Sequence, residues 1–146
     1  MNKHLSNLRN SLQRPAFLMI GVLVIEYLLG VVTTLLVEFP EGENEQQLWV
    51  FASQQLPLLL HIIIGTLLLV GTVVFFIKSI KQKNRQWIIA SGIATAAILG
   101  GAGAGSAFIP KQSEIYASVM SICLFVALLS YFWGLYVTKE STQKVQ

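Results

Sequence analysis

Residues 57–77, PLLLHIIIGTLLLVGTVVFFI, constrain this chain more than any other stretch. They form a run of about twenty apolar residues, long enough to cross the roughly 30 Å hydrocarbon core of a bilayer as a helix. Three further apolar runs accompany it, at 16–37, 87–109 and 115–137. The expected fold is therefore all-α: one integral membrane domain over residues 1–146, an up-down four-helix bundle. The short connections after the second and third runs make their helices antiparallel neighbours.

Composition narrows the alternatives. The 146 residues are 54% hydrophobic and 12% charged, about half the charge of an average soluble domain. What lies between the runs is too short and polar for a separate soluble domain. The net charge of +3 is no nucleic-acid signal, because the basic residues sit in short segments beside apolar runs, where they set topology. Nine of the ten Lys and Arg lie in the N-terminal arm, the 78–86 loop and the tail, and the two opposite loops hold only Lys111. Both termini are thus expected to be cytoplasmic, with an acidic outer face carrying Glu38, Glu41, Glu43, Glu45 and Glu114. The basic-then-apolar N-terminus has the outline of a signal peptide. Its apolar run is too long and lacks a small-x-small cleavage site, so it is expected to stay as the first helix. With no organelle-targeting segment in view, a bacterial plasma membrane is the expected location. The lone Cys123 makes no intramolecular disulfide, and no CxxC pattern occurs.

Residues 1–15 read as a polar arm with Leu5, Leu8 and Leu12 at helical spacing, and Pro15 suits the first turn of the helix that follows. In the longest loop, Asn44 is placed to cap a short surface helix over QQLWVFASQQ, with Trp49 and Phe51 at the interface. A bend is compatible with Pro57. Trp87 is expected at the membrane interface, and PKQSE reads as a tight turn.

The residues that break the apolar pattern are the candidates for chemistry. Glu26 lies near the middle of the first run, where a carboxylate costs about 3 kcal/mol or more unless protonated or paired. It shares a helical face with Gly30 and Thr33. His61, with Gly65 four residues later on the same face, begins the second run, whose polar face continues through Leu68 and Thr72. At about 1.5 Å per residue, His61 lies roughly 6 Å from the outer end and Met120 roughly 7 Å. Thr33 and Thr34 share that depth. Glu26 falls roughly 9 Å deeper than His61, so direct contact between the two is not expected. With no other basic residue inside a span, Glu26 is expected to be protonated at neutral pH unless water or a cation reaches it. In the third run, Gly92, Ala96, Gly100 and Ala104 form one small-residue ridge, and Ala97, Gly101 and Gly105 another. Such ridges let backbones approach closely.

These residues support two readings of the outer half. In one, His61 and Met120 are axial ligands of a haem b, with the Gly/Ala wall making room for the macrocycle. In the other, His61 donates a hydrogen bond to a neighbour and the glycines only pack. Glu26 likewise relays a proton or binds a cation, or else sits protonated and hydrogen-bonded across the bundle or paired with His61 through water. GGAGAG is not a phosphate loop, since no strand precedes it and no Lys-Ser/Thr follows. No Ser/His/Asp set, catalytic carboxylate pair or zinc spacing appears, so no enzymatic activity is expected.

The pattern EYLLG with FPEG, LHIIIGTLLL, GGAGAGSAF and a short last helix resembles a group of small bacterial four-helix membrane proteins of unassigned activity, over nearly the whole chain. The His-x-x-x-Gly start of the second helix has a weaker resemblance to one half of haem A synthase. That family uses a second His on a later helix. Helices three and four here have none, so the resemblance implies only His61 as an axial ligand. The expected function is that of a non-catalytic membrane component or accessory subunit. Its partners would be the lipid bilayer and a membrane protein or second copy of the chain, with no nucleic acid. Haem binding with redox activity and a proton or small-solute pathway through Glu26 are the alternatives.

Overall fold

The computed structural model describes residues 2–40 and 42–143, with side chains for 12–40 and 42–137. Five helices follow in order: α1 Asn2–Leu36, α2 Glu45–Gln54, α3 Leu56–Lys81, α4 Arg85–Lys111 and α5 Glu114–Gln143. There is no strand among the described residues. Four stretches are long and apolar enough to cross a membrane: Leu12–Leu36, Leu56–Lys81, Arg85–Lys111 and Glu114–Val137. At 24 to 27 residues each reaches about 36–40 Å. Several side chains that bear on topology (Leu5, Leu8, Lys3, Arg9, Glu41, Lys139 and Lys144) lie outside the described residues.

The helices outrun the apolar stretches that announce them. α1 does not begin beside Pro15 but runs through it. A proline inside a helix removes one backbone bond. Here Leu12 and Ala16 on either side are fully buried in the core, and that packing holds the turn. α4 likewise continues through Pro110 to Lys111 and ends at Gln112, which takes a left-handed φ of 48°. The turn to α5 is thus only Gln112 and Ser113. α2 starts in a capping box. The Asn44 side chain accepts from Gln47 N–H at 3.0 Å, and the Gln47 side chain accepts from Asn44 N–H at 3.0 Å. Gln55 closes α2 and opens α3, with Pro57 in the first turn of α3, where its missing N–H costs nothing.

α1 packs on α3 and α5, α3 on α4, and α4 on α5, while α2 lies against α3 and α4. At the α2 end, Leu48 and Ala52 join Leu58 and Ile109, and Phe39 meets the rings of Phe51 and Phe108 at 5.7 and 5.8 Å. The main core occupies the other half of the molecule. Trp87 is completely buried there, with its ring edge-on to Phe75 at 5.5 Å. This corrects the interfacial position expected for it. The backbone of Gly134 lies directly over the indole, because a Cβ at that position would stand 2.6 Å from Trp87 Cζ3. The gap in α5 at Gly134 makes room for the ring, while its buried Nε1 has no hydrogen-bond partner.

Polarity is distributed opposite to a soluble protein. Leu35, Ile115 and Leu67 are 76%, 71% and 64% exposed, whereas Thr72, Ser79 and Ser91 are 0% exposed. The hydroxyls of these fully buried residues, and that of Ser130, are satisfied within the protein. Ser79 donates to Phe75 O at 2.9 Å, Ser130 to Val126 O at 2.8 Å and Ser91 to Trp87 O. Thr72 Oγ1 is 2.8 Å from Tyr131 OH and 3.3 Å from Thr95 Oγ1, and Thr95 donates to Ser91 O at 2.7 Å. That chain ties α3, α4 and α5 together at one level.

Candidate functional site

α1 and α3 meet along a seam built on two matching motifs. Glu26 and Gly30 stand four residues apart on α1, and His61 and Gly65 four apart on α3. The helices run antiparallel across the seam, so each large side chain falls on the glycine of the other helix. A Cβ at Gly65 would lie 2.7 Å from Glu26 Oε1, and one at Gly30 would lie 3.4 Å from His61 Cε1. Two layers further along, past Leu23 and Leu68, Met19 Sδ comes within 3.4 Å of where a Cβ on Gly71 would be. The absent Cβ atoms create the space that the carboxyl and imidazole occupy.

The same register brings the two groups together. His61 Nδ1 is 3.1 Å from Glu26 Oε1, with the side chains 24% and 8% exposed. The contact is at ion-pair distance without the alignment of a full hydrogen bond, as Nδ1 has no aligned partner. This overturns the expectation, drawn from counting helical rise, that Glu26 and His61 do not touch. The seam puts Gly30 level with His61 and Gly65 level with Glu26. Their backbones are therefore offset by about one turn, roughly 6 Å, a span the two side chains bridge. It also gives Glu26 the basic neighbour that counting residues within each span did not offer it.

Three buried polar atoms along this seam have no hydrogen-bond partner: Glu26 Oε2, His61 Nδ1 and Thr33 Oγ1. Such atoms cost about 1–3 kcal/mol each when left unmet, so the seam is polar and under-satisfied in an otherwise apolar layer. Thr34, by contrast, is satisfied within its helix, donating to Gly30 O at 2.9 Å. On the side away from α2, Leu23 and Leu68 are buried, with Met19, Ile20 and Phe75 behind them.

The glycine-rich end of α4 faces elsewhere. Met120 Sδ lies 3.1 Å from where a Cβ on Gly105 would be, Cys123 Sγ 3.4 Å from that of Gly100, and Cys123 Cβ 3.4 Å from that of Gly101. Gly101 and Gly105 are partly covered by α5 side chains, and Gly100 stays exposed. His61 makes its close contacts with α1, and Met120 with α4. Part of the wall read as room for a haem macrocycle packs against α5, and the two candidate axial ligands are engaged against different helices. Among the described residues, no three His, Cys, Asp or Glu side chains converge in a way that would hold a metal ion.

Sequence reading missed the Thr72–Tyr131–Thr95 cluster. One signal was present in the Ser91/Thr95 spacing of four, which puts two hydroxyls on one face of α4. Nothing local marks Tyr131, which sits in an aromatic run of lipid-like character. No protein family, curated protein or solved structure matches the chain.

Proposed function

We propose that this chain is a multi-pass component of a bacterial plasma membrane, non-catalytic in itself, whose working centre is the Glu26–His61 pair. In this reading α1, α3, α4 and α5 form an up-down bundle with both termini cytoplasmic, and α2 lies on the outer surface. The basic residues Lys78, Lys81, Lys83 and Arg85 at the α3–α4 connection support that orientation. The apolar faces that the bundle turns outward support its place in a bilayer.

The observation that carries the reading is the 3.1 Å approach of an imidazole nitrogen to a carboxyl oxygen inside candidate membrane spans. An ionisable residue at such a site marks proton or ion handling as the default hypothesis. A carboxyl and an imidazole side by side hold one proton between them more readily than either alone, because the charged forms neutralise one another. The pair therefore takes up and releases a proton, and the two glycines preserve the close seam in which it does so.

The experiment is an infrared titration of the purified protein in lipid, from about pH 4 to about pH 9, a range bracketing ordinary carboxyl and imidazole ionisation. A protonated-carboxyl band should appear and disappear across that range, and Glu26→Gln should abolish it. His61→Ala should move its midpoint. Absence of any titrating band removed by Glu26→Gln would end the proton-handling reading.

A further inference from the structure

The surroundings of the pair differ sharply on its two sides. Toward α2 the seam offers Gly30 and the unpartnered Thr33 Oγ1, and His61, the more exposed member, lies on this side of Glu26, with the apolar cluster of Leu58, Ile62, Val37 and Phe39 beyond it. α2 covers this end mainly over α3 and α4. Away from α2, Leu23 at 0% and Leu68 at 4% exposure close the seam, followed by Met19, Ile20 and Phe75. Thr66 in that direction is exposed and donates to Ile62 O, and the next buried polar group on that side of α3 is Thr72. It is seven residues beyond Gly65, or about 10 Å of helix, and its hydroxyl is already engaged by Tyr131 and Thr95. No hydrogen-bonded chain bridges an apolar gap of that length.

We propose that Glu26 exchanges its proton with the α2 side of the membrane only, through His61 and water held along Glu26, His61 and Thr33. This rests on the proton-handling reading of the pair and adds its direction. The unpartnered atoms on Glu26, His61 and Thr33 supply the polar contacts that a buried water needs. One proton passes from water to the ring nitrogen opposite Nδ1, and one passes from Nδ1 to the Glu26 carboxylate through the water that bridges their unpartnered atoms. The imidazole ends neutral in its other tautomer, a single proton has moved inward, and no other bond changes. The leucine layer stops the proton there, so the protein registers acidity on one face without conducting across the membrane.

Few other ionisable groups compete. On α5, which packs against α1, Tyr131 is bonded to Thr72, and Cys123 lies against Gly100 and Gly101 of α4. Near the α2 end, Tyr116 accepts from Lys111 Nζ at 2.9 Å. Tyr27 on α1 is 51% exposed on the outside of the helix. Among the described residues, the charged ones at the α2 end are Glu38, Glu43, Glu45, Lys111 and Glu114. They modulate the local proton concentration without touching the pair.

The test uses full-length protein in proteoliposomes of one orientation, sorted by capturing vesicles that present a Glu43→Cys label in a Cys123→Ala background. The pH is stepped on one side while the other is buffered, and the carboxyl band lost in Glu26→Gln is followed. A step on the α2 side should move the band, and a step on the opposite side should leave it unchanged. His61→Ala should slow the α2-side response at least tenfold, and Leu23→Asn should admit a response from the opposite side. A native band that follows steps on both sides, or only on the side away from α2, overturns the proposal. A band that titrates in neither case, even after the vesicles are permeabilised, defeats the proton-handling reading instead.

Discussion

Replacing Gly134 with alanine adds a single methyl group, yet it should be among the most damaging small changes available to this chain. The new Cβ would stand 2.6 Å from Trp87 Cζ3, 2.9 Å from Cε3 and 3.1 Å from the Cβ of Ala90. Relief to ordinary contact at about 3.5–4.0 Å requires the indole or the helix to move by about 1 Å. The indole has nowhere to go. It is 0% exposed, and Phe75 packs edge-on against it at 5.5 Å. The strain therefore falls on the α4–α5 packing. Overpacking of this kind costs about 1–3 kcal/mol, partly offset by the roughly 0.5–1 kcal/mol that alanine gains over glycine inside a helix. Reversible unfolding in mixed micelles should show Gly134→Ala less stable than the parent. Gly103→Ala, where a Cβ meets nothing within 4 Å, should be as stable as the parent or more so. Trp87→Phe removes the ring atoms that the methyl strikes, so adding Gly134→Ala to Trp87→Phe should cost much less than adding it to the parent. If Gly134→Ala matches the parent and the double variant shows no such coupling, the close passage of α5 over Trp87 is wrong.

The hydroxyl cluster predicts a different pattern of coupling. Tyr131→Phe leaves the buried Thr72 hydroxyl with only the longer 3.3 Å contact to Thr95 and should cost about 1 kcal/mol, and adding Thr72→Val should recover part of it because no hydroxyl at that position then lacks its better partner. Purely additive losses in a double-mutant cycle would show that the 2.8 Å contact carries no coupling energy. For topology, cysteine at Glu43 should react with an impermeant thiol reagent in intact cells and cysteine at Gln82 should not, both in a Cys123→Ala background. Equal labelling would reverse the orientation argument.

Some of this protein is determined by its sequence alone, because the controlling physics is local. A run of apolar residues reaches across a bilayer whatever its neighbours do, so the four long helices are legible from 16–37, 57–77, 87–109 and 115–137. Asn44 caps α2 through atoms three residues away, and that too needs no tertiary information. Glu26 and His61 stand out as misfits on the same grounds. Their meeting was not legible. Depth counted along separate helices ignores how the helices slide past one another. That slide was fixed by Gly30 and Gly65, each admitting the other helix's large side chain. Trp87 and Tyr131 show the same limit from the other direction. An aromatic residue near a span end suits the interface by its chemistry, and only the passage of Gly134 over Trp87 and the reach of Thr72 to Tyr131 draw them inside. Hydropathy says which segments leave water. Which faces then turn toward each other depends on close contacts between residues 35 to 59 positions apart, and those contacts exist only once the helices have packed.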